Sequence, residues 1–127
     1  GGRTPMKTPS KGGVDYEKVN QRLKEQFART TALYRDCVTE LFGYKVDLEN
    51  LDKAGKAQLK LRSLFAENGT DELLFKQNAA GKLDLLETPF ASGLGPEATV
   101  YLTTAKSVPA FLSNVTLTLF DQQTFLG

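Results

Sequence analysis

Histidine is absent from this 127-residue chain. With it go the commonest metal ligand and the commonest general base, so zinc sites and histidine-dependent triads or dyads are excluded within the chain. Cysteine occurs once, at Cys37. That excludes an intrachain disulfide framework, and its place on a helical stripe predicts a buried small side chain in a reducing compartment. No apolar run approaches the roughly 20 residues of a membrane-spanning helix, and no secretory leader is recognisable. Acids do occur in pairs, Asp71 with Glu72 and Glu49 near Asp52. They sit in turn-like stretches where carboxylates serve solubility, and an active site needs a pocket, a base and an orienting group together. Neither an enzyme nor a cofactor is expected. Gly93-Leu94-Gly95 is too short and too badly placed to cradle a phosphate.

What is present is one domain's worth of chain, with 40% hydrophobic and 24% charged residues and a net charge of +1. Arg3, Lys7 and Lys11 put +3 into the first 13 residues, which contain no acid, leaving −2 for the remainder. The folded part is therefore no nucleic-acid surface by bulk electrostatics, since phosphate binding needs a concentrated positive face. Residues 1–13 hold nothing to bury and two Thr-Pro pairs, at Thr4 and Thr8, and read as a disordered linker. Those threonines suit a proline-directed kinase.

Residues 14–42 organise the rest. Tyr16, Val19, Leu23, Phe27, Thr30, Tyr34, Cys37 and Leu41 recur at steps of three and four without an intervening proline or glycine. That is a helical seam. A helix of about 28 residues is about 42 Å long, longer than a compact domain of the remaining residues is wide. Its seam is narrow and bordered by charge, which predicts a parallel coiled-coil homodimer. A long surface helix folded back on its own sheet is the other reading.

Gly43 offers a left-handed cap after Phe42. Residues 43–127 then read as a head. Tyr44-Lys45-Val46-Asp47-Leu48 alternates as a first strand, and residues 49–58 form a solvated connection. Leu59 to Phe65 gives a second strand, Glu72 to Lys76 a third and Lys82 to Glu87 a fourth. Asn68-Gly69-Thr70-Asp71 and Asn78 to Gly81 are the turns between them. Turns this short predict an antiparallel meander. Thr88 to Pro96 reads as a loop, and Glu97 to Ala105, ambiguous between strand and helix, leans to helix. Ser107 with Val108-Pro109 starts a last helix, whose Val108, Phe111, Leu112, Val115 and Leu119 would lie on the sheet. The class is α+β: a long helix, a four-stranded antiparallel sheet and covering helices.

Lys18, Arg22 and Arg29 lie on one flank of the long helix, with Lys24 and Arg35 on the other. Two parallel copies would bring such flanks around a shared groove able to hold an acidic or phosphorylated peptide. Equally, charge on a coiled-coil surface is often only solvated, and Glu17, Glu25 and Asp36 are near enough to compensate it.

Several motifs carry a resemblance. Gln21-Arg22-Leu23-Lys24-Glu25, Tyr34-Arg35-Asp36-Cys37 and Leu41-Phe42-Gly43-Tyr44-Lys45-Val46-Asp47 are followed in order by Leu61-Arg62-Ser63-Leu64-Phe65-Ala66-Glu67, Leu74-Phe75-Lys76 and Leu85-Leu86-Glu87-Thr88. Val108-Pro109-Ala110-Phe111-Leu112-Ser113, Leu117-Thr118-Leu119-Phe120 and Gln123-Thr124 complete the series. Together they resemble the C-terminal domain of the Mad family of spindle assembly checkpoint proteins, over nearly all of residues 19–124.

The resemblance implies a homodimer with a coiled-coil stem and heads of the RWD type, at the end of a longer coiled-coil protein whose segment for a HORMA-domain checkpoint partner lies upstream. Arg22-Leu23-Lys24 matches the family's kinetochore-targeting motif, which implies a receptor for a phosphorylated segment of the Bub-type checkpoint kinase. Leu23 would serve the seam and fix the register of its basic neighbours, with Lys18 and Arg29 beside them. Thr124 matches a threonine phosphorylated by the monopolar-spindle kinase, which then contacts the basic N-terminal segment of the Cdc-type coactivator of the anaphase-promoting complex. Here Gln122 replaces a basic residue common in animal members. The implied location is the nucleus, at kinetochores in mitosis and at the nuclear envelope or pore in interphase.

Overall fold

The computed structural model describes residues 15–126; the expected linker, with Thr4 and Thr8, lies outside them. The order is α1 (Tyr16–Phe42), β1 (Tyr44–Leu51), β2 (Ala57–Ser63), β3 (Leu73–Gln77), β4 (Leu83–Leu86), α2 (Pro89–Ser92), α3 (Pro96–Thr103) and α4 (Val108–Asp121), then a π-helical turn at Gln122–Leu126. The class is α+β. Contacts divide the chain into two units, one ending at Arg35 and the other beginning at Asp36, so the boundary falls inside α1.

In the first unit the helix starts where Asp15 supplies its cap. The Lys18 backbone N–H donates to the Asp15 carboxylate at 3.1 Å, and the Val19 N–H donates to the Asp15 carbonyl at 3.0 Å. Glu17 in the first turn complements the helix dipole. No residue of α1 is buried within the single chain.

The second unit opens on the end of α1. Gly43 takes φ +77°, which a side chain would strain, and its N–H donates to the Thr39 carbonyl at 2.8 Å. The sheet runs in the order β1-β2-β3-β4, all neighbours antiparallel. Its register aligns Leu59 with Phe75 and Phe75 with Leu85, so these share one face. The connection expected over residues 49–58 is shorter than the sequence suggests. β1 continues through an irregularity between Leu48 and Asn50 to Leu51. Asp52 then closes the turn, its carboxylate accepting from the backbone N–H groups of Ala54 at 2.9 Å and Lys56 at 2.8 Å. That side-chain turn lets polar residues pair as strand to its edge. β2 likewise runs earlier than expected, because at Ser63 the hydroxyl accepts from Phe65 N–H at 3.0 Å and turns the chain out of the ladder.

The stretch expected as a loop from Thr88 contains α2. Thr88 caps it, its hydroxyl accepting from Ala91 N–H at 3.0 Å, and Pro89 occupies the first turn. α3 is helical, as the sequence leans. Ser107 caps α4 by accepting from Ala110 N–H at 3.1 Å. Phe111, Val115 and Leu119 of α4 are buried in one cluster with Tyr44, Leu61, Leu73 and Phe75 of the sheet. The Phe75 and Phe111 rings meet edge to face at 6.5 Å. Each such side chain contributes about 1.5 to 3 kcal/mol by leaving water.

Tyr44 ties sheet to helix: its hydroxyl donates to the Leu112 carbonyl at 2.7 Å. Burial pushes its phenol up to about 12, against the smaller opposing effect of a hydrogen bond with Thr116.

Candidate functional site

Successive residues of an α-helix turn by about 100°. Measured from Leu23, the whole predicted seam, Tyr16, Val19, Phe27, Thr30, Tyr34, Cys37 and Leu41, then falls within about 40° to either side. All of these residues are exposed in the single chain, Cys37 included. The stripe is therefore real as geometry, and none of its residues is buried among the described residues. Cys37 is exposed in the single chain, so the burial expected for it at the seam is not supplied by the described residues of its own chain. Leu33 and Phe42, which the seam pattern leaves out, are exposed too.

Beside the stripe lie the basic residues. Lys18, Arg22 and Arg29 fall within about 40° of one another on one flank, and Lys24 stands on the opposite flank about 100° from Leu23. All four are exposed, and among the described residues none makes an ion pair. Glu25, a candidate to compensate them, instead accepts from the Gln21 amide at 3.3 Å. Further along, the same flank changes sign, since Asp36 and Glu40 continue the line of Lys18, Arg22 and Arg29. On that flank the basic residues thus lie between residues 18 and 29, and acids follow them. The exposed forks of Arg22 and Arg29 can each offer paired donors to a phosphate or carboxylate.

In the second unit, Leu41 lines an apolar groove of about 660 Å³ with Phe42, Tyr44, Leu112 and Leu117. The C-terminal turn holds Thr124, which is exposed in π-helical backbone. The turn is fastened by its neighbour: the Gln123 amide donates to the Phe65 carbonyl at 2.8 Å, and the Phe65 and Phe120 rings pack edge to face at 5.2 Å.

No group of acids and cysteine among the described residues could hold a metal ion. No helix there is long and apolar enough to cross a membrane. The sequence reading missed a second concave feature, a pocket of about 480 Å³ between α2, α3 and α4 to which Asp71, Glu97 and Asn114 contribute. These residues are far apart in the chain and only the fold gathers them.

The family model described as mitotic checkpoint protein MAD matches residues 13–124. The mitotic spindle assembly checkpoint protein MAD1 of Homo sapiens is 40% identical over 110 residues, covering 85% of this chain and 15% of that protein. The mitotic spindle checkpoint protein MAD1 of Arabidopsis thaliana is 26% identical over 113 residues, with the same coverage of 85% and 15%. The spindle assembly checkpoint component MAD1 of Yarrowia lipolytica is 26% identical over 110 residues, 84% of this chain and 15% of that protein. The chain spans about 15% of the length of the curated relatives it matches.

Proposed function

The chain belongs to the MAD family of mitotic checkpoint proteins, and we propose that it serves the spindle assembly checkpoint as a homodimeric, non-catalytic docking domain. In this reading α1 pairs with a second copy as a coiled-coil stem of residues 14–42, residues 1–13 are a linker, and residues 43–127 form an RWD-like head. The stem binds the phosphorylated conserved motif of a Bub-type kinase at kinetochores through Arg22, Leu23 and Lys24, with Lys18 and Arg29 alongside. Phosphorylated Thr124 engages the Cdc-type coactivator, near a HORMA-domain protein bound upstream. The domain then works in the mitotic nucleus by proximity, which raises local concentration to about millimolar for short tethers and speeds assembly of the inhibitory complex.

One observation carries the reading: an exposed apolar stripe bordered by Lys18, Arg22, Lys24 and Arg29, none of which makes an ion pair among the described residues. Apolar exposure along a whole helix face favours a partner, and Leu23 at the centre of the stripe would hold Arg22 and Lys24 on its two sides. A phosphothreonine brings about −1.5 to −2 charge and three acceptor oxygens, and two helices supply the matching donors.

The test is fluorescence anisotropy of a labelled kinase-motif peptide, with and without phosphothreonine, against the wild-type chain and an Arg22→Glu/Lys24→Glu variant shown by light scattering to stay dimeric. Binding that needs both the phosphate and the basic pair supports the receptor. Equal binding to both proteins, or to neither, leaves a dimeric RWD anchor whose partners contact its heads.

A further inference from the structure

The pocket between α2, α3 and α4 shares no residue with the basic stripe, and its chemistry is the opposite. Its apolar wall comes from Phe90, Leu94 and Val115. Its polar lining is rich in acceptors, the carboxylates of Asp71 and Glu97 and the amide of Asn114, and neither lysine nor arginine lines it.

These acceptors have few partners among the described residues. The Asn114 Oδ1 is buried and has no hydrogen-bond partner among the described residues, a state that costs about 1 to 3 kcal/mol. Glu97 makes no hydrogen bond or ion pair among the described residues. Asp71 accepts only long bonds from the Asn68 backbone at 3.3 Å and the Asn68 amide at 3.4 Å, both on one carboxylate oxygen. The Glu97 carboxylate lies over Gly95, at the rim of the pocket. Asn114 and Thr118 of α4 and Gln122 of the turn that follows line the same pocket at four-residue steps, so the uncharged polar edge is continuous.

We propose that this pocket binds a partner peptide through a cationic side chain, arginine by preference, with a neighbouring apolar residue resting on Phe90 and Leu94. A guanidinium carries five donors in a fixed fork and is less strongly hydrated than an ammonium. It can therefore meet both carboxylates and, after rotation about the soft terminal torsion of Asn114, the orphaned oxygen as well.

The test follows backbone and side-chain amide NMR signals of the isotope-labelled full chain during titration with two capped tripeptides, leucine-arginine-leucine and leucine-citrulline-leucine. Citrulline keeps the shape of arginine and loses its charge. The expected result is saturable shifts at Gly95, Glu97 and the Asn114 side chain with the arginine peptide, and binding about tenfold weaker or worse with the citrulline peptide and with Glu97→Gln. Asp71→Asn is the second variant, with the dispersion of the spectrum reporting that each remains folded. Equal response to the two peptides, arginine-peptide shifts located elsewhere, or affinity unmoved by both variants would overturn the assignment. None of these outcomes depends on phosphopeptide binding by Arg22 and Lys24, so the two sites stand or fall separately.

Discussion

α1 and α4 carry the same periodic signal and meet opposite fates. On α4, Phe111, Val115 and Leu119 are 0%, 1% and 8% exposed. On α1, Leu23, Phe27 and Tyr34 are 58%, 74% and 69% exposed. Both stripes recur at steps of three and four, so period reports only that one face differs from the other. What separates the helices is the rest of the circumference. α4 has no charged residue before Asp121, and four strands face it, whereas α1 is charged on every side but its seam. A narrow apolar stripe on an otherwise charged helix favours a partner of its own kind, and a broader apolar surface favours a sheet.

The comparison can be broken most forcefully at the seam. Leu23→Asp is expected to halve the mass seen by light scattering while leaving the circular dichroism of the head region intact, as the proposed dimer seam requires. A mass unchanged by the substitution would mean that α1's stripe is not a dimer seam. At the matching position in the core, Phe111→Ala should cost about 3 to 5 kcal/mol in chemical denaturation, independent of protein concentration. Phe27→Ala should instead lower the melting temperature by an amount that shrinks as concentration rises.

Tyr44 sharpens the contrast through pH. Its phenol is pushed up to about 12 in the folded chain from an ordinary 10, so the unfolded chain releases this proton first. Its stabilisation is fully present below pH 10 and is lost as pH rises from 10 to 12, a decline of about 2 to 3 kcal/mol. Tyr44→Phe should remove that slope from alkaline denaturation curves. The smallest effect is expected at a cap: Ser107→Ala should cost about 1 kcal/mol, measurable as a modest fall in the denaturation midpoint with α4 still formed.

Much of the fold was legible because it is written locally. Gly43 ends α1, Asn78 to Gly81 turns the meander, and Ser107 with Pro109 opens α4, each through backbone chemistry confined to a few residues. α2 escaped although Thr88-Pro89 carries the same kind of signal as Ser107-Pro109, because four residues are too few to show a period. The ends of β1 and β2 escaped because Asp52 builds its turn from side-chain hydrogen bonds, and polar residues up to it pair as strand. The candidate sites divide in the same way. Arg22, Leu23 and Lys24 are adjacent in the chain, so a helix alone fixes their flanks and the motif resemblance could reach them. Asp71, Glu97 and Asn114 are separated by loops and helices, and no spacing predicts their meeting.

By itself the sequence determined the helical stripe of α1, the antiparallel meander, the membership of the MAD family and the absence of histidine chemistry, since each depends on period, turn residues or composition. Only the tertiary structure decided which stripe is covered among the described residues and which is left exposed, and only it gathered Asp71, Glu97 and Asn114 beside an apolar wall. Burial and the pairing of buried polar groups depend on what packs from elsewhere in the chain, and that information is held by no short stretch of residues.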